Sequence, residues 1–505
     1  MTSSGSSLTL FLTNESETIA LGEDLALALK AGDCLALSGD LGAGKSTLAR
    51  ALLRAMADDP SLEVPSPTFT LVQNYELRIP VAHFDLYRLG DSSELDELGF
   101  DEALSQGICL VEWPEQALSA LPADRIQLSI EHEGDGRRVR IDAPAAQHNR
   151  IARVLAIRAF LDAHGCQGAS RRFLTGDASM RAYETVTTSD GLTKILMDWP
   201  KQPDGPPVLD GKPYPKVAHI AEDAYPFVAI ADYLRAHALA APEIFAADYQ
   251  QGLLLIEDLG RDGVLDATGQ PIAERYRQSV ACLAHLHALK TPGRLAVGTN
   301  HTHEIPDFDR TAMMMEARLL LDWHLPWKRG GVPATDQERE NYHAIWSDLI
   351  DQLDEAEKNL LLRDFHSPNI IWRGEKTGLQ KIGLIDFQDA MIGPTAYDLV
   401  SIVQDARVTV SRELMDQLIA DYLALRHAQG PFDEARFRKS WAIMSAQRAC
   451  KLNGLWVRLM VRDKKPGYIK HMPRTLWHLQ VAFEHEALAP LREWCDKVGI
   501  GQPES

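Results

Sequence analysis

Apolar and polar positions along the first part of the chain follow a pattern typical of a layered α/β domain. Short apolar runs predict strands, and helical periodicity fills the intervals between some of them. The runs are DCLALSG, VAHFDLY, GICLVEW, RIQLSIEHE and RRVRIDA. The stretch APAAQHN then interrupts the pattern. We therefore predict an α/β domain over residues 1–148, with a domain boundary at its end.

The rest of the chain, residues 149–505, has a different pattern. A helical segment, ARVLAIRAFLDAHG, comes first, and strand candidates follow at YETVTT, TKILMDW and GLLLIEDLG. From about residue 272 onward helical periodicity dominates, interrupted by LLLRDFHSPNIIWRG and LQKIGLIDFQDA. A few strands followed by a long helical part predict an α+β domain.

Length and composition agree with two domains and restrict the class of protein. A chain of 505 residues is too long for one hydrophobic core. No apolar stretch approaches the roughly 18 residues of a membrane span, and the N-terminal residues lack the basic start of a signal peptide. Six cysteines without paired spacing indicate reduced thiols. We therefore expect a cytoplasmic protein that does not interact with membranes.

Negative charge is concentrated in the first domain. Residues 1–148 contain 24 Asp and Glu against 10 Lys and Arg, a formal charge of −14 out of −19 for the whole chain. Such a surface is poorly suited to direct contact with a phosphate backbone. If this domain serves nucleic-acid chemistry, we expect it to do so through a partner protein.

The stretch GDLGAGKST has the spacing Gly-x-x-x-x-Gly-Lys-Ser of a phosphate-binding loop. An apolar run, CLALS, precedes it and a helical pattern, TLARALLRAM, follows, as this motif requires. Its backbone N–H groups would face phosphate oxygens, Lys45 would reach the outer phosphates, and the Ser46 hydroxyl would bind magnesium. The predicted nucleotide-binding residues are Gly39, Asp40, Leu41, Gly42, Ala43, Gly44, Lys45, Ser46 and Thr47.

Hydrolysis of a bound nucleotide also requires a carboxylate near magnesium and a group that places the attacking water. Asp85 in HFDLYRL and Glu112 in LVEWPEQ lie at predicted strand ends, where a parallel sheet presents its ligands. Taken singly, each could equally be an ordinary acid at the end of a strand. Their occurrence together with the phosphate loop favours a catalytic site.

Four motifs in this order, GDLGAGKST, SPTFTLVQNY, HFDLYRL and LVEWPEQ, resemble those of TsaE. TsaE is the small ATPase of bacterial threonylcarbamoyl-adenosine tRNA modification, and the resemblance covers about residues 8–143. It implies a P-loop ATPase that docks on the TsaB–TsaD heterodimer and meets tRNA only indirectly, through that complex. An alternative is that the first domain is a small-molecule kinase.

The same resemblance assigns roles to individual residues. Thr47 would support the phosphates, and Thr68 in SPTF is similar to a switch threonine. Asp85 would bind magnesium. Glu112 would be the catalytic acid that supports the metal or the attacking water.

Residues 149–505 contain a second chemical pattern, RDFHSPN followed by LIDFQD. Asp364 lies five residues before Asn369, and Asp386 follows an apolar run. In a kinase-type site one aspartate accepts the proton of the acceptor hydroxyl, while an asparagine and a second aspartate hold magnesium. Alternatively, these residues could only make backbone hydrogen bonds in turns.

This set of residues resembles the aminoglycoside phosphotransferase and choline kinase family over most of residues 170–480. The segments ILMDWP, EARLLLDWHLP and QRACKLNGLWVRLMVRDKKPGYIKHMPR are most similar to the AmgK-type sugar 1-kinases, which act on N-acetylmuramate and N-acetylglucosamine. The resemblance implies a two-lobed, protein-kinase-like fold that uses ATP and Mg²⁺ on an amino-sugar acceptor. The backbone around Glu257 and Asp258 would contact adenine.

One position departs from the kinase pattern. Met197 in TKILMDW occupies the place where a phosphate-binding lysine is expected, and Lys194 should point to the opposite face of the strand. We therefore predict a bifunctional chain, a P-loop ATPase joined to an ATP-dependent sugar phosphotransferase. The alternative is that the C-terminal domain is a pseudokinase-like regulatory or binding module of the ATPase.

Overall fold

The structure is a computed structural model that describes residues 6–174, 181–201, 203 and 205–500. The chain forms two compact units. The first extends to Trp199 and includes Ala246–Asp248 and Leu253–Ile256, whereas the second consists of Pro200–Phe245, Tyr249–Gly252 and the chain from Glu257 onward. None of the described helices combines the length and apolar character that a membrane crossing requires.

The strands and helices are numbered in chain order. The strands are β1 Ser6–Leu12, β2 Cys34–Gly39, β3 Val72–Tyr75, β4 Val81–Asp85, β5 Ile108–Glu112, β6 Ile126–Glu133, β7 Gly136–Ala143, β8 Ser170–Leu174, β9 Ala182–Thr187, β10 Thr193–Asp198, β11 Pro207–Leu209, β12 Lys212–Pro213, β13 Ile244–Asp248, β14 Leu253–Glu257, β15 Arg294–Val297, β16 His301–Glu304, β17 Lys358–Leu361, β18 Ile370–Trp372, β19 Ile382–Leu384 and β20 Met391–Pro394. The helices are α1 Glu15–Ala28, α2 Lys45–Ala57, α3 Glu94–Glu97, α4 Phe100–Gln106, α5 Ala145–Ala163, α6 Tyr214–Val217, α7 Tyr225–Ala236, α8 Ala273–Ala288, α9 Arg310–Leu319, α10 Leu325–Lys328, α11 Asp336–Asp351, α12 Ala396–Val403, α13 Arg412–Gln429, α14 Glu434–Val461, α15 Met472–Ala482 and α16 Ala489–Val498.

A seven-stranded sheet with the order β1-β7-β6-β2-β5-β4-β3 forms the centre of the first unit. Strands β4, β5, β2 and β6 are parallel, so their carboxyl ends meet at one edge. Register pairs Asp85 directly with Glu112, and Leu37 of β2 with the same glutamate. The α/β fold predicted for this part of the chain is confirmed, and its topology brings both strand-end acids beside the phosphate loop.

Most of a second, five-stranded sheet with the order β13-β14-β10-β9-β8 also belongs to the first unit. Ile157 and Leu161 of α5 pack in one apolar cluster with Val186, Leu196 and Leu255 of this sheet.

Helix α5 begins earlier than the apolar pattern predicts, at Ala145 directly after Pro144. Ala and Gln are good helix formers, so the residues of APAAQHN that follow the proline form the first turn of the helix. The domain boundary predicted after residue 148 therefore lies inside α5.

The second unit is mainly helical, as predicted, and short strand pairs position its loops. The segment between β17 and β18 contains Asp364 and Asn369, while β19 leads directly to Asp386. Antiparallel pairing of Ile370 with Leu384 places the ends of these two segments side by side. The α+β prediction is confirmed.

A buried ion cluster joins the two sheets of the first unit. Asp24 on α1 accepts hydrogen bonds from Arg158 on α5 (2.9 Å) and Arg171 on β8 (2.7 Å). Arg171, whose side chain is fully buried, also donates to both oxygens of Glu184 on β9. Because buried charges are stable only when paired, these four residues fix α1 against the five-stranded sheet.

We predict that Asp24→Ala destabilises the first unit by about 3–5 kcal/mol, because it leaves two arginine side chains without their shared carboxylate. Chemical denaturation measures the effect. Glu133→Gln is the matched control, since the Glu133–Arg138 pair in the same unit is exposed and should contribute little. Equal stabilities of the two variants would contradict this view of the cluster.

Candidate active sites

The loop between β2 and α2 has the backbone shape that a phosphate loop needs. Gly39 (φ 142°) and Gly44 (φ 117°) adopt conformations that favour glycine. A Cβ atom at Gly39 would lie 2.4 Å from the carbonyl oxygen of Ile130. Gly44 is the N-cap of α2, so the positive end of this helix faces the loop.

Lys45 is held inside this loop. Its Nζ donates to the carbonyl oxygens of Gly39 (2.7 Å) and Asp40 (3.0 Å), and it lies 3.7 Å from the centre of the Trp113 ring. Burial lowers the pKa of Lys45, and the nearby carboxylates, chiefly Glu112, partly oppose this shift. The ammonium group is thus anchored at the position from which it can reach a phosphate.

Glu112 is buried at the end of β5 and is held through both carboxylate oxygens. The Ser46 hydroxyl donates to one oxygen at 2.8 Å, and His83 Nε2 lies 2.9 Å from the other. Glu112 is therefore oriented by the loop serine on one side and by a buried histidine of β4 on the other.

Asp85 is held in a similar way at the end of β4. The hydroxyls of Ser66 (2.7 Å) and Thr68 (2.6 Å) donate to Oδ2, and the backbone N–H of Tyr87 donates to Oδ1 at 3.1 Å. This arrangement links the SPTF segment to the second strand-end acid.

One cavity of about 350 Å³ brings most of the predicted residues of the first site together. The predicted residues that line it are Leu41, Gly42, Gly44, Lys45, Ser46, Thr47, Thr68, Asp85 and Glu112. Gly39 and Asp40 contribute through their carbonyl groups to Lys45. Ala43 is buried in the apolar core instead, so its side chain does not face the cavity.

Sequence reasoning assigned no role to three residues of this site, Ser66, His83 and Tyr87, and left the role of Trp113 undecided. A signal existed for His83, because it lies two positions before Asp85 and alternate strand residues share a face. Ser66 is two positions before Thr68 in SPTF. The Trp113 contact with Lys45 has no comparable sequence signal, since it depends on a left-handed backbone at Trp113 (φ 60°).

The second predicted set also comes together. Asn369 Nδ2 donates to the backbone oxygen of Asp364 (3.0 Å) and to Asp386 Oδ2 (3.2 Å). Gln388 Nε2 donates to Asp386 Oδ1 at 3.1 Å. Asp386 has a left-handed backbone (φ 61°), which is costly for a non-glycine residue and is common at functional sites.

The loop before Asp364 is anchored by Asp398, which is fully buried. Its carboxylate accepts the backbone N–H groups of Leu362 and Arg363, which favours the charged form. Burial has the larger effect and raises the pKa of Asp398 to about 7. Asp398 thus has a structural role in this loop.

The electrostatics of Asp364 itself are different. Burial acts to raise its pKa, but interactions with the side chains of His366, Lys451 and Arg363 outweigh this and lower it. Asp364 therefore remains ionised at neutral pH.

Both sites offer oxygen ligands of the kind that Mg²⁺ prefers. The first site has Ser46, Asp85 and Glu112, and the second has Asn369 and Asp386. Among the described residues no group of three or more His, Cys, Asp or Glu side chains could hold a metal ion by itself. Magnesium is usually bound by one or two carboxylates together with substrate phosphates, so the two donor sets fit a metal that arrives with a nucleotide.

The residues predicted to contact adenine lie at and after the end of β14. The Glu257 N–H donates to the Glu243 carbonyl at 2.8 Å, and its carboxylate pairs with Arg373 at 3.0 Å. Asp258 Oδ1 accepts the N–H of Gly260. The Glu257 N–H is thus already engaged.

In the five-stranded sheet, Met197 of β10 is buried. The Lys194 ammonium lies 3.7 Å from Cys166 Sγ, and Cys166 packs with Leu196 on one face of that sheet.

Two families match the chain in separate regions. Residues 12–140 match the family described as threonylcarbamoyl adenosine biosynthesis protein TsaE, and residues 170–438, more than half of the chain, match the phosphotransferase enzyme family.

Individual relatives agree with this division. The chain is 33% identical to the N-acetylmuramate/N-acetylglucosamine kinase of Caulobacter vibrioides over 68% of this chain and 96% of that protein. It is 41% identical to TsaE of Bacillus subtilis over 25% of this chain and 78% of that protein. TsaE of Rickettsia felis is 38% identical over 26% of this chain and 76% of that protein.

The resemblances inferred from the motifs are thus confirmed for both parts of the chain. The two loops described above lie within the matched regions. The chain is an enzyme that belongs to two families, TsaE through its N-terminal P-loop module and the phosphotransferase enzyme family through its C-terminal kinase module.

Proposed function

We propose that the chain is bifunctional. Residues 1–148 would be the ATPase subunit of the tRNA threonylcarbamoyladenosine modification complex, acting with the TsaB–TsaD heterodimer. Residues 149–505 would transfer phosphate from ATP to the anomeric hydroxyl of an amino sugar. The observation that carries the proposal is the presence of two separate carboxylate sets, Asp85 with Glu112 and Asp364 with Asp386. Donors from neighbouring segments hold the carboxylates of Asp85, Glu112 and Asp386, and Asn369 holds the backbone of Asp364.

At the first site the chain supplies positioning for hydrolysis. The loop N–H groups and Lys45 bind the phosphates, and Glu112, oriented by His83, accepts a hydrogen bond from the attacking water. The hydroxyls of Thr68 and Ser66 both donate to the Asp85 carboxylate and so fix its orientation. Mg²⁺, when bound through Ser46 and Asp85, would neutralise phosphate charge.

At the second site Asp364 accepts the proton of the sugar hydroxyl. The hydroxyl oxygen forms a bond to the γ-phosphorus, and the bond from that phosphorus to the β–γ bridging oxygen breaks, which releases ADP. Asn369 and Asp386 would hold Mg²⁺ on the phosphates. The adenine contact assigned to this stretch would use the Glu257 carbonyl and the backbone of Asp258, because the Glu257 N–H already donates to Glu243.

The relatives support these assignments. The Bacillus subtilis and Caulobacter vibrioides proteins have names that state tRNA threonylcarbamoyladenosine biosynthesis and N-acetylmuramate/N-acetylglucosamine kinase, respectively. The Caulobacter match spans nearly the whole of that protein. We therefore assign ATP as the nucleotide, with an N-acetylated amino sugar as acceptor.

The rim of the first site suggests where the partner binds. Leu41 and Phe69 are 84% and 83% exposed, and Tyr87 is 53% exposed. Leu41 and Tyr87 line the cavity, and Phe69 directly follows Thr68, which also lines it. Large exposed apolar side chains beside a cavity are typical of an interaction surface. The acidic character of this module favours a protein partner over direct contact with tRNA. We assign this rim to the TsaB–TsaD heterodimer.

A second candidate function remains for the C-terminal module. Buried Met197 in place of a phosphate-binding lysine favours a regulatory module without transfer activity. The held arrangement of Asp364, Asn369 and Asp386 favours an active kinase.

Lys45→Met should abolish tRNA modification in a strain that lacks its own TsaE and should lower ATP hydrolysis at the first site about 100-fold or more, because it removes a cation at the phosphates. Hydrolysis is measured in an Asp364→Ala background, so that the second site is silent. Transfer of phosphate to sugar by the single Lys45→Met variant is the control and should be unchanged. Full complementation by Lys45→Met would contradict the assignment.

Asp364→Ala should lower phosphate transfer to N-acetylmuramate or N-acetylglucosamine about 1,000-fold, since the acceptor hydroxyl loses its base. Transfer is followed with γ-labelled ATP on a panel of sugars. Complementation by the same variant in the strain without TsaE should remain normal. Absence of transfer from the unmodified chain to every sugar, or transfer that survives Asp364→Ala, would favour the regulatory module.

Phe69→Ser should weaken binding to purified TsaB–TsaD about tenfold or more, because it removes an exposed aromatic side chain from the rim. Phe11→Ser is the matched control, since Phe11 is also largely exposed but lies on β1, whereas Phe69 directly follows Thr68, which lines the cavity. Titration calorimetry compares the two variants. Equal affinities would place the docking surface elsewhere.

A further inference from the structure

In the second unit, one buried carboxylate next to the catalytic loop accepts hydrogen bonds from three side chains. Glu316 on α9 accepts hydrogen bonds from Lys451 Nζ (2.7 Å), Arg363 Nη2 (2.8 Å) and Gln447 Nε2 (3.1 Å). Its side chain is 1% exposed. Burial alone would raise the pKa of Glu316, but Lys451 and Arg363 lower it to about 2. Glu316 is therefore a permanent negative charge in the interior.

The partners of Glu316 come from distant parts of the sequence. Glu316 belongs to the segment EARLLLDWHLP, while Gln447 and Lys451 belong to QRACKLNGLW on α14. Both segments carry the resemblance to the AmgK-type kinases, which does not by itself give a role to these three residues. In the structure both contribute to the same cluster below Asp364.

Arg363 connects this cluster to the catalytic loop. It immediately precedes Asp364 and has a left-handed backbone (φ 67°), a conformation that costs about 1–3 kcal/mol for a non-glycine residue unless the surroundings hold it. Its side chain donates to Glu316 and to the Ala218 carbonyl (2.9 Å), and its N–H donates to Asp398. The contact with Glu316 thus holds the backbone turn that presents Asp364.

Lys451 provides a second connection. Burial acts to lower the pKa of Lys451, but the negative charge of Glu316 reverses this and raises it, so the ammonium stays charged. Nζ also lies 3.4 Å from the Tyr397 hydroxyl. Lys451 is among the cations whose charge acts on the Asp364 carboxylate. Without Glu316, Arg363 and Lys451 would lose the carboxylate that they share, and the backbone turn before Asp364 would lose this anchor.

We propose that Glu316 is a positioning residue of the phosphotransferase site, which holds Arg363 and Lys451 so that the Asp364 carboxylate stays directed at the acceptor hydroxyl. This inference rests on the proposed kinase function. Glu316 itself does not touch the substrate. Its effect should appear in the rate of transfer, with nucleotide affinity retained, because misplacement of the base affects the acceptor step.

Glu316→Gln keeps the shape of the side chain and removes its charge. We expect kcat for phosphate transfer to fall about 100-fold, as a small misplacement of a catalytic group can cause, while KM for ATP changes less than about twofold. Thermal unfolding is recorded on the same samples. Gln447→Met, which removes one neutral hydrogen bond to Glu316, serves if Glu316→Gln fails to fold, and should lower kcat several-fold with the same unchanged KM for ATP.

Glu357→Gln is the matched control. Glu357 also accepts hydrogen bonds from a buried arginine, Arg426, and from Thr395. It lies directly before β17 and has no hydrogen bond to the residues of the Glu316 cluster among those described. Its kcat should match that of the unmodified chain. If the unmodified chain is active and Glu316→Gln has the same kcat, or loses kcat and ATP affinity alike, the inference is overturned and the kinase assignment stands. If the unmodified chain transfers phosphate to no sugar, the kinase assignment fails and this inference fails with it.

Discussion

Both sites depend on carboxylates that the chain holds in place with its own hydrogen-bond donors. An ionised carboxylate at the end of a strand is stable only if its oxygens are paired, and it is useful only if it points in one direction. Ser46 and His83 fulfil both conditions for Glu112, and Asn369 and Gln388 do so for Asp386. A site whose acids are already oriented need not reorganise them when a nucleotide binds.

Most residues that form these sites can be predicted from the sequence, but few of the residues that hold them in place can. The phosphate loop and the spacing of Asp364 and Asn369 are local patterns, so they are visible in a single sequence. The buried partners are remote in sequence: His83 is 29 positions from Glu112, and Lys451 is 135 positions from Glu316. Such contacts result from sheet register and helix packing, which periodicity alone does not specify.

The position of the domain boundary has a similar explanation. The stretch APAAQHN interrupts the apolar pattern near residue 148, but its Ala and Gln residues are good helix formers and α5 begins within it. The ion cluster around Asp24 and Arg171 then joins α1 to the five-stranded sheet within one compact unit. The family matches divide the chain between residues 140 and 170. Packing instead places β8, β9 and β10 of the phosphotransferase region in the same compact unit as the seven-stranded sheet. The two divisions describe different properties of the same chain.

The central claim is that one chain contains two separate sites for the triphosphate of ATP, and the number of nucleotides bound per chain tests it most directly. Equilibrium dialysis with a non-hydrolysable ATP analogue and Mg²⁺ should give two bound nucleotides for the unmodified chain. Lys45→Met and Asp386→Asn should each leave one, and the double variant none. A single bound nucleotide in the unmodified chain, lost on Lys45→Met, would contradict the account.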